Sequence, residues 1–274
     1  MTAPRMARET LERRIREFAQ RQPWNHNFAL GEGVETAPGE QRSQGKNLIK
    51  LERLKPLMAQ IGLRDKQVLD VGCNEGFFSF YMAQQGARVV GIDIDEQRIA
   101  KAEFVRSVTD ARGVEFKKVD IYSPEFRELP HADLCLCLGV LHRVPDLVTA
   151  LGAITRNTDM VLLEWKALKF GPHDEAFAYF TDKPVDPVDY YGTEYWLPSF
   201  AAVERILRRL GFVYFHRIDD STQRRAILLS ARQPHAVFDT PDINIPRSRV
   251  RSLLSHTKRY VRTVAGILTG RLNA

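Results

Sequence analysis

A doubly wound, mostly parallel α/β sheet ending in an antiparallel hairpin is the fold this sequence predicts. Five short apolar runs, QVLDVG, ARVVGIDI, VEFKKVD, ADLCLCLG and DMVLLEW, alternate with helical patterns such as FFSFYMAQQG and DEQRIAKAEFVRSV. Helices of that length serve as right-handed crossovers, so the strands they join pair in parallel. Each of the first three runs carries an acid at or near its end, Asp70, Asp93 and Asp120. Three carboxylates therefore face the edge where open α/β sheets bind ligands.

From the N-terminus, residues 6 to 21 have the charged amphipathic pattern of a helix. The segment WNHNFALGEGVETAPGE, punctuated by Gly and Pro, follows as loop or short irregular strand and is a candidate lid. Helical periodicity returns from Lys46 to about Gly62 and leads into the alternating region. After Trp165 an aromatic, acidic stretch, residues 166 to 197, interrupts the alternation; irregular segments of that length in compact domains are often functional. Ser199 is placed to cap a helix that Gly211 closes. FVYFHRI and RAILLSA, separated by DDSTQR, read as a hairpin that finishes the sheet. The expected organisation is an N-terminal helix and lid (1–45), a main domain (46–234) with residues 166–197 inserted over its site, and a linker with a C-terminal helix (235–274).

A chain of 274 residues can bury one substantial core with appended pieces. No apolar run approaches the roughly 20 residues of a membrane span, and the N-terminus is charged where a signal peptide is apolar, so a cytoplasmic location is expected. Cys73, Cys135 and Cys137 lack paired metal-ligand spacing and lie in or beside strands, as reduced structural thiols do; no metal site is expected. The net charge of +6 sits in the tail: from Pro246 onward there are seven Lys or Arg and no acid, which leaves −1 for the remainder. A nearly neutral core speaks against nucleic acid as its partner. Within 247–268, Val250, Leu254, Thr257, Val261, Val264 and Leu268 form one helical stripe and Arg247, Arg251, Lys258 and Arg262 the next. Peripheral contact with an anionic membrane, docking on a partner, and packing on its own domain all fit that pattern.

The segment VLDVGCNEGFFS, residues 68 to 79, places an acid at a strand end and glycines in the turn that opens a helix, where a ligand can approach the backbone. A dinucleotide fingerprint would repeat glycine where this chain has Asn74 and Phe77. Asp93 ends the next strand about twenty residues on, where a carboxylate can accept hydrogen bonds from both ribose hydroxyls. Together these residues resemble the class I S-adenosylmethionine-dependent methyltransferases over about residues 64 to 232. The resemblance implies that Asp70, Gly72 and Gly76, with Cys73 and Asn74 in the same turn, contact the methionine part of S-adenosyl-L-methionine. It implies that Asp93 and Ile94 hold the ribose, that Asp120 and Ile121 flank the adenine, and that Leu138 and Gly139 lie beneath the cofactor. Asn74 departs from the glycine that many members carry there.

Further segments, WNHNFALGEGVETAPG, KLERLKPLM, LGVLHRVPD, YWLPSFAAVERILRRLGF and QRRAILLSA, are similar to the group of bacterial methyltransferases that includes the tRNA wobble-uridine carboxymethyltransferases. By that resemblance Lys50 and Arg225 fall where those enzymes hold the extra carboxylate of carboxy-S-adenosyl-L-methionine. The tyrosine those enzymes carry in the segment matching GVLHRVP is absent here, which favours the ordinary cofactor.

Transfer from a sulfonium is an in-line displacement, so the protein aligns the acceptor and, for a hydroxyl, removes its proton. His142, following the fourth strand at the carboxyl edge, is the leading candidate base, and His26 and Tyr195 are acceptor-side candidates. Three functions follow in order: O-methylation of a small molecule or a sugar or glycan intermediate, modification of tRNA, and a non-catalytic adaptor that retains the fold.

Overall fold

Period-two alternation within the apolar runs sends neighbouring side chains of each strand into two separate cores. In a computed structural model, residues 6–31, 33–37, 44–167, 175–182, 194–220 and 225–238 are described, with backbone only at 44–46, 181–182, 194–195 and 219–220. The order is α1 (Arg8–Arg21), β1 (Ala29–Gly31), β2 (Val34–Glu35), α2 (Gln44–Ile61), β3 (Gln67–Val71), α3 (Phe77–Gln84), β4 (Arg88–Asp93) and α4 (Glu96–Thr109). Then come β5 (Val114–Lys118), α5 (Pro124–Arg127), β6 (Leu134–Leu138), α6 (Leu147–Ile154), β7 (Met160–Lys166), β8 (Ala178–Asp182), β9 (Glu194–Pro198), α7 (Phe200–Arg209), β10 (Tyr214–Asp220) and β11 (Arg225–Ala231).

Seven strands form the main sheet in the order β10-β11-β7-β6-β3-β4-β5. The pairs from β7 to β5 are parallel, while β11 runs antiparallel to both β7 and β10. Leu134 and Leu136 of β6, with Leu162 of β7 and Leu229 of β11, enter the core that also receives Leu54 of α2, Met82 of α3 and Phe104 of α4. Cys135 and Cys137 of β6, with Leu163 of β7 and Leu228 of β11, point to the other face and meet Phe126 of α5, Leu151 of α6 and Leu207 of α7. Burial on both faces is why the inner strands read as nearly continuous apolar runs.

Ser199 accepts the Ala202 N–H at 3.1 Å and caps α7, as its place before the helix suggested. The stretch 166–197, read as an irregular insertion, contains the β8–β9 hairpin, in which Tyr179 pairs with Leu197. Pro198 at its end accepts the indole N–H of the fully buried Trp165 at 3.0 Å and ties the hairpin to β7. The C-terminal helix expected over 247–268 lies outside the described residues. Among the described residues no helix is long and apolar enough to cross a membrane.

Candidate active site

The chain proceeds from β3 to β4 and β5 on one side and from β6 to β7 on the other, so the sheet has its switch point between β3 and β6. Strand ends diverge there, and a crevice opens at the carboxyl edge. A cleft of about 1130 Å³, its open mouth included, lies there. Its floor is made by the turn after β3, the end of β4 and the residues following β5 and β6.

Gly72, Cys73, Asn74, Asp93, Ile94, Ile121, Leu138 and Gly139, all expected cofactor contacts, line this cleft. Gly72 has φ +70°, and a Cβ there would meet Val140 Cγ2 at 2.3 Å. Only glycine fits. Asn74 has φ +53°, the left-handed region that asparagine enters more readily than most residues, which explains how it replaces the glycine of related turns. Asp93 Oδ2 accepts the Asn74 N–H at 2.9 Å and Oδ1 the Asp95 N–H at 3.0 Å, with Arg98 Nη1 3.9 Å from Oδ2. A carboxylate offers about four lone-pair directions. Two accept these backbone donors, which leaves capacity for a ligand's hydroxyls. Burial is the main cause that raises the Asp93 pKa, against the opposing charge of Arg98.

Three of the expected cofactor contacts, Asp70, Gly76 and Asp120, stand behind or beside the cleft lining. Asp70 is 3% exposed, beneath the floor, where Ser79 Oγ donates to its Oδ2 at 2.6 Å. Gly76 begins α3 and is packed over: a Cβ would lie 2.6 Å from Phe116 Cζ, so it serves packing. Asp120 stands two residues beyond β5, where its Oδ1 accepts the Tyr122 N–H at 2.9 Å, the turn-residue role. Its neighbours Val119 and Ile121 form that wall instead.

Burial pushes Asp70 up to about 6, above its ordinary 3.8, although the Ser79 hydrogen bond opposes the shift. Between those values the folded protein holds a proton that the unfolded chain has released. The stability this confers is present at the acid end and is lost as pH rises to about 6. Asp70→Asn keeps an oxygen for Ser79 and does not titrate. In urea unfolding of the ligand-free protein, the parent should lose about 1.4 kcal/mol relative to this variant between pH 5 and 7.5.

His142, the candidate base from the sequence, is set back from the cleft. It is 1% exposed, it does not line the cleft, and its Nδ1 accepts the Lys166 N–H at 3.4 Å. Burial, then the charges of Arg225 and Arg143, hold it well below the ordinary histidine range and so neutral. With Nδ1 accepting, the proton resides on Nε2, and the ring has no free basic lone pair to offer an acceptor. Its neighbour Arg143 lines the cleft in its place.

Lys50 and Arg225 converge on a carboxylate. Lys50 Nζ lies 3.1 Å from Glu164 Oε2, and Arg225 Nε 3.3 Å from Glu164 Oε1. Glu164 is 0% exposed and belongs to β7, on the face that α2 covers. The two cations thus have an internal counter-ion beside Gly139, whose Cβ would stand 3.5 Å from Glu164 Oε2. Tyr195 lies in β9, and its side chain is outside the described residues.

Sequence reasoning missed Glu75. This fully buried acid, within the glycine turn itself, accepts the N–H groups of Asn25 and His26 at 3.0 and 2.9 Å. His26 Nδ1 lies 3.1 Å from its Oε2, and Lys101 Nζ 3.2 Å from its Oε1. Lys101 is also fully buried; it donates to the carbonyls of Gln22 and Pro23 at 2.8 Å and lies 5.0 Å from the Trp24 ring. Burial alone would raise Glu75, but His26 and then Lys101 overcome it and hold the carboxyl below its ordinary range. The segment 22–26 is thereby fastened over the cofactor turn, and Asn25 and His26 become part of the cleft wall.

Residues 63–163 match the family described as a methyltransferase domain. Ubiquinone biosynthesis O-methyltransferases match part of the chain: that of Pseudomonas fluorescens Pf-5 is 37% identical over 98 residues, 35% of this chain and 41% of that protein. The Hahella chejuensis protein of the same description is 33% identical over 104 residues, 38% of this chain and 43% of that protein. The chain thus spans about two-fifths of the length of these curated relatives. Among solved structures, the N-terminal domain of EvdMO1, crystallised with SAH and D-fucose, superposes with TM-score 0.66 at 22% identity, covering 85% of this chain and 100% of that one. Magnesium protoporphyrin IX methyltransferase of Synechocystis PCC 6803, with bound SAM, gives TM-score 0.53 at 20% identity, over 72% of this chain and 87% of that one. These likenesses show the fold, a Rossmann-like α/β sheet.

Proposed function

We propose that this chain, whose residues 63–163 match a methyltransferase-domain family, transfers the methyl group of S-adenosylmethionine to a hydroxyl of a small molecule. Asp93 carries this reading. It ends β4 at the switch point, two of its lone-pair directions accept backbone donors, and the rest are available at the cleft beside a turn that only glycine can form. That arrangement fits a ribose with two hydroxyls. In this reading Gly72 lets the methionine part approach the backbone, Ile94 and Ile121 enclose the nucleoside, and Leu138 and Gly139 support it from below.

The matched curated relatives are O-methyltransferases, and they support oxygen as the receiving atom. They do not extend the finer resemblance to tRNA modification. The ordinary cofactor is favoured over its carboxylated form because Glu164 already pairs with both cations that would hold a second carboxylate. Bound in the cleft, S-adenosylmethionine would supply an electrophilic methyl carbon on its sulfonium. The protein's own contribution is to hold the nucleoside, exclude water beside Phe77 and Phe78, and align the acceptor.

Calorimetric titration of the emptied protein with S-adenosylmethionine and carboxy-S-adenosylmethionine tests the reading. The ordinary form should bind at least about tenfold more tightly, since a second carboxylate would have to displace a buried ion pair. Preference for the carboxylated form would overturn it.

A further inference from the structure

Of the imidazoles near the cleft among the described residues, His26 is the one on its wall, and it is held on three sides. Its ring stacks on Phe77 with centroids 5.2 Å apart and planes 14° from parallel. Its backbone N–H and its Nδ1 both meet Glu75 Oε2, at 2.9 and 3.1 Å. An ionised carboxylate can only accept, so Nδ1 carries the ring proton and Nε2 keeps its lone pair. Asn47 Nδ2 donates to Nε2 at 2.6 Å, and Asn47 also lines the cleft. The basic nitrogen therefore faces a group that borders the ligand space. This is the reverse of His142, whose Nδ1 accepts from the backbone behind the wall.

From this geometry we propose that His26 is the proton acceptor for the hydroxyl being methylated, that Glu75 positions it, and that the acceptor is a phenol. The inference rests on the O-methyltransferase reading above. In the step, the acceptor oxygen forms a bond to the methyl carbon as the carbon–sulfur bond breaks and sulfur keeps the electron pair. The hydroxyl proton passes to His26 Nε2, from which Asn47 withdraws, and leaves to solvent after product release. Glu75 then faces an imidazolium and stabilises it, and Lys101 on its other oxygen keeps the carboxylate ionised. The remaining charged groups on the cleft wall are Asp93, Arg98 and Arg143.

Proton affinity selects the acceptor class. A phenol, with a pKa of about 10, is the more acidic class of hydroxyl, and its proton can pass to a neutral nitrogen base in a concerted transfer. An aliphatic alcohol lies several units higher still. Phe77 and Phe78 line the same cleft and offer apolar contact to a ring.

The test uses the full chain and His26→Asn, whose amide can still donate to Glu75 but has no counterpart to Nε2. S-adenosylhomocysteine should bind parent and variant within about threefold, showing that the wall stands. With phenol as probe, turnover should fall by about 10²–10⁴-fold with little change in KM. With 4-nitrophenol, already ionised in mildly alkaline buffer, the variant should approach the parent rate; an equal loss on both probes would overturn the base role. Nitrogen-15 imidazole spectra of the protein loaded with S-adenosylhomocysteine give an independent readout. A proton on Nδ1 and none on Nε2 supports the proposal, and the opposite tautomer overturns it. Glu75→Gln should move part of the ring proton of His26 from Nδ1 to Nε2 in the same spectra; an unchanged tautomer would remove the positioning role. If the parent methylates neither probe, the phenolic part of the proposal fails, while the tautomer still decides whether His26 can act as a base.

Discussion

Glu75→Ala is expected to destabilise the protein by about 3–5 kcal/mol, because it leaves the ammonium of Lys101 buried without its counter-charge. Lys101 would keep the carbonyls of Gln22 and Pro23 and the face of Trp24, which satisfy its protons but do not neutralise it. The backbone N–H groups of Asn25 and His26 would lose their acceptor in the same step. Urea unfolding of Glu75→Ala, Lys101→Met and the double variant Glu75→Leu/Lys101→Met separates the contributions. The double variant should recover most of the loss, since an apolar pair of similar volume often replaces a buried ion pair at little cost. If it is no more stable than Glu75→Ala, the backbone donors and not the buried charge account for the effect. In either single variant, hydrogen exchange at residues 22–26 should accelerate before global unfolding, because α1 remains anchored through Leu11 and Ile15 in the core.

That network marks the boundary of what the sequence discloses. The central strands were legible because burial on both faces makes them apolar throughout, and Asp93 was legible because a strand end followed by a helix fixes where its carboxylate lies. Asp70 and Asp120 show the limit of that reasoning. One residue before a strand's end turns Asp70 under the floor, and two residues past another leave Asp120 to serve its own turn. Glu75 stood in plain view inside the glycine turn, but its partners come from residues 22–26 and from α4, separations that periodicity cannot register. A signal existed in Lys101, which shares the apolar face of α4 with Phe104 and Val105 and so had to find a buried acid. Glu164 carried the same signal. An acid inside DMVLLEW, on a strand paired along both edges, requires cations, and the resemblance had already singled out Lys50 and Arg225 without naming the anion between them. For His142, adjacency to β6 gave the edge of the sheet but not the direction of the ring.

Asp93→Asn should weaken S-adenosylhomocysteine binding by about 10²–10³-fold. A ribose with both hydroxyls donating to a carboxylate gains about 1.5–3 kcal/mol per charged hydrogen bond, and each 1.4 kcal/mol is about tenfold in affinity. Asparagine presents one acceptor oxygen and a donor, so it can satisfy the backbone or the ligand but not both. The complication is that Asp93 also orders the turn, through the N–H groups of Asn74 and Asp95. A lower affinity alone would not separate lost ribose contacts from a displaced loop. The 2′-deoxy analogue of S-adenosylhomocysteine does so. The parent should bind it about tenfold or more weakly than the natural ligand, whereas Asp93→Asn, having already lost the acceptor, should hardly distinguish the two. A variant that still discriminates as the parent does would mean that the hydroxyls are held elsewhere on the cleft wall, with Arg98 the nearest alternative, and that Asp93 serves only to shape the turn.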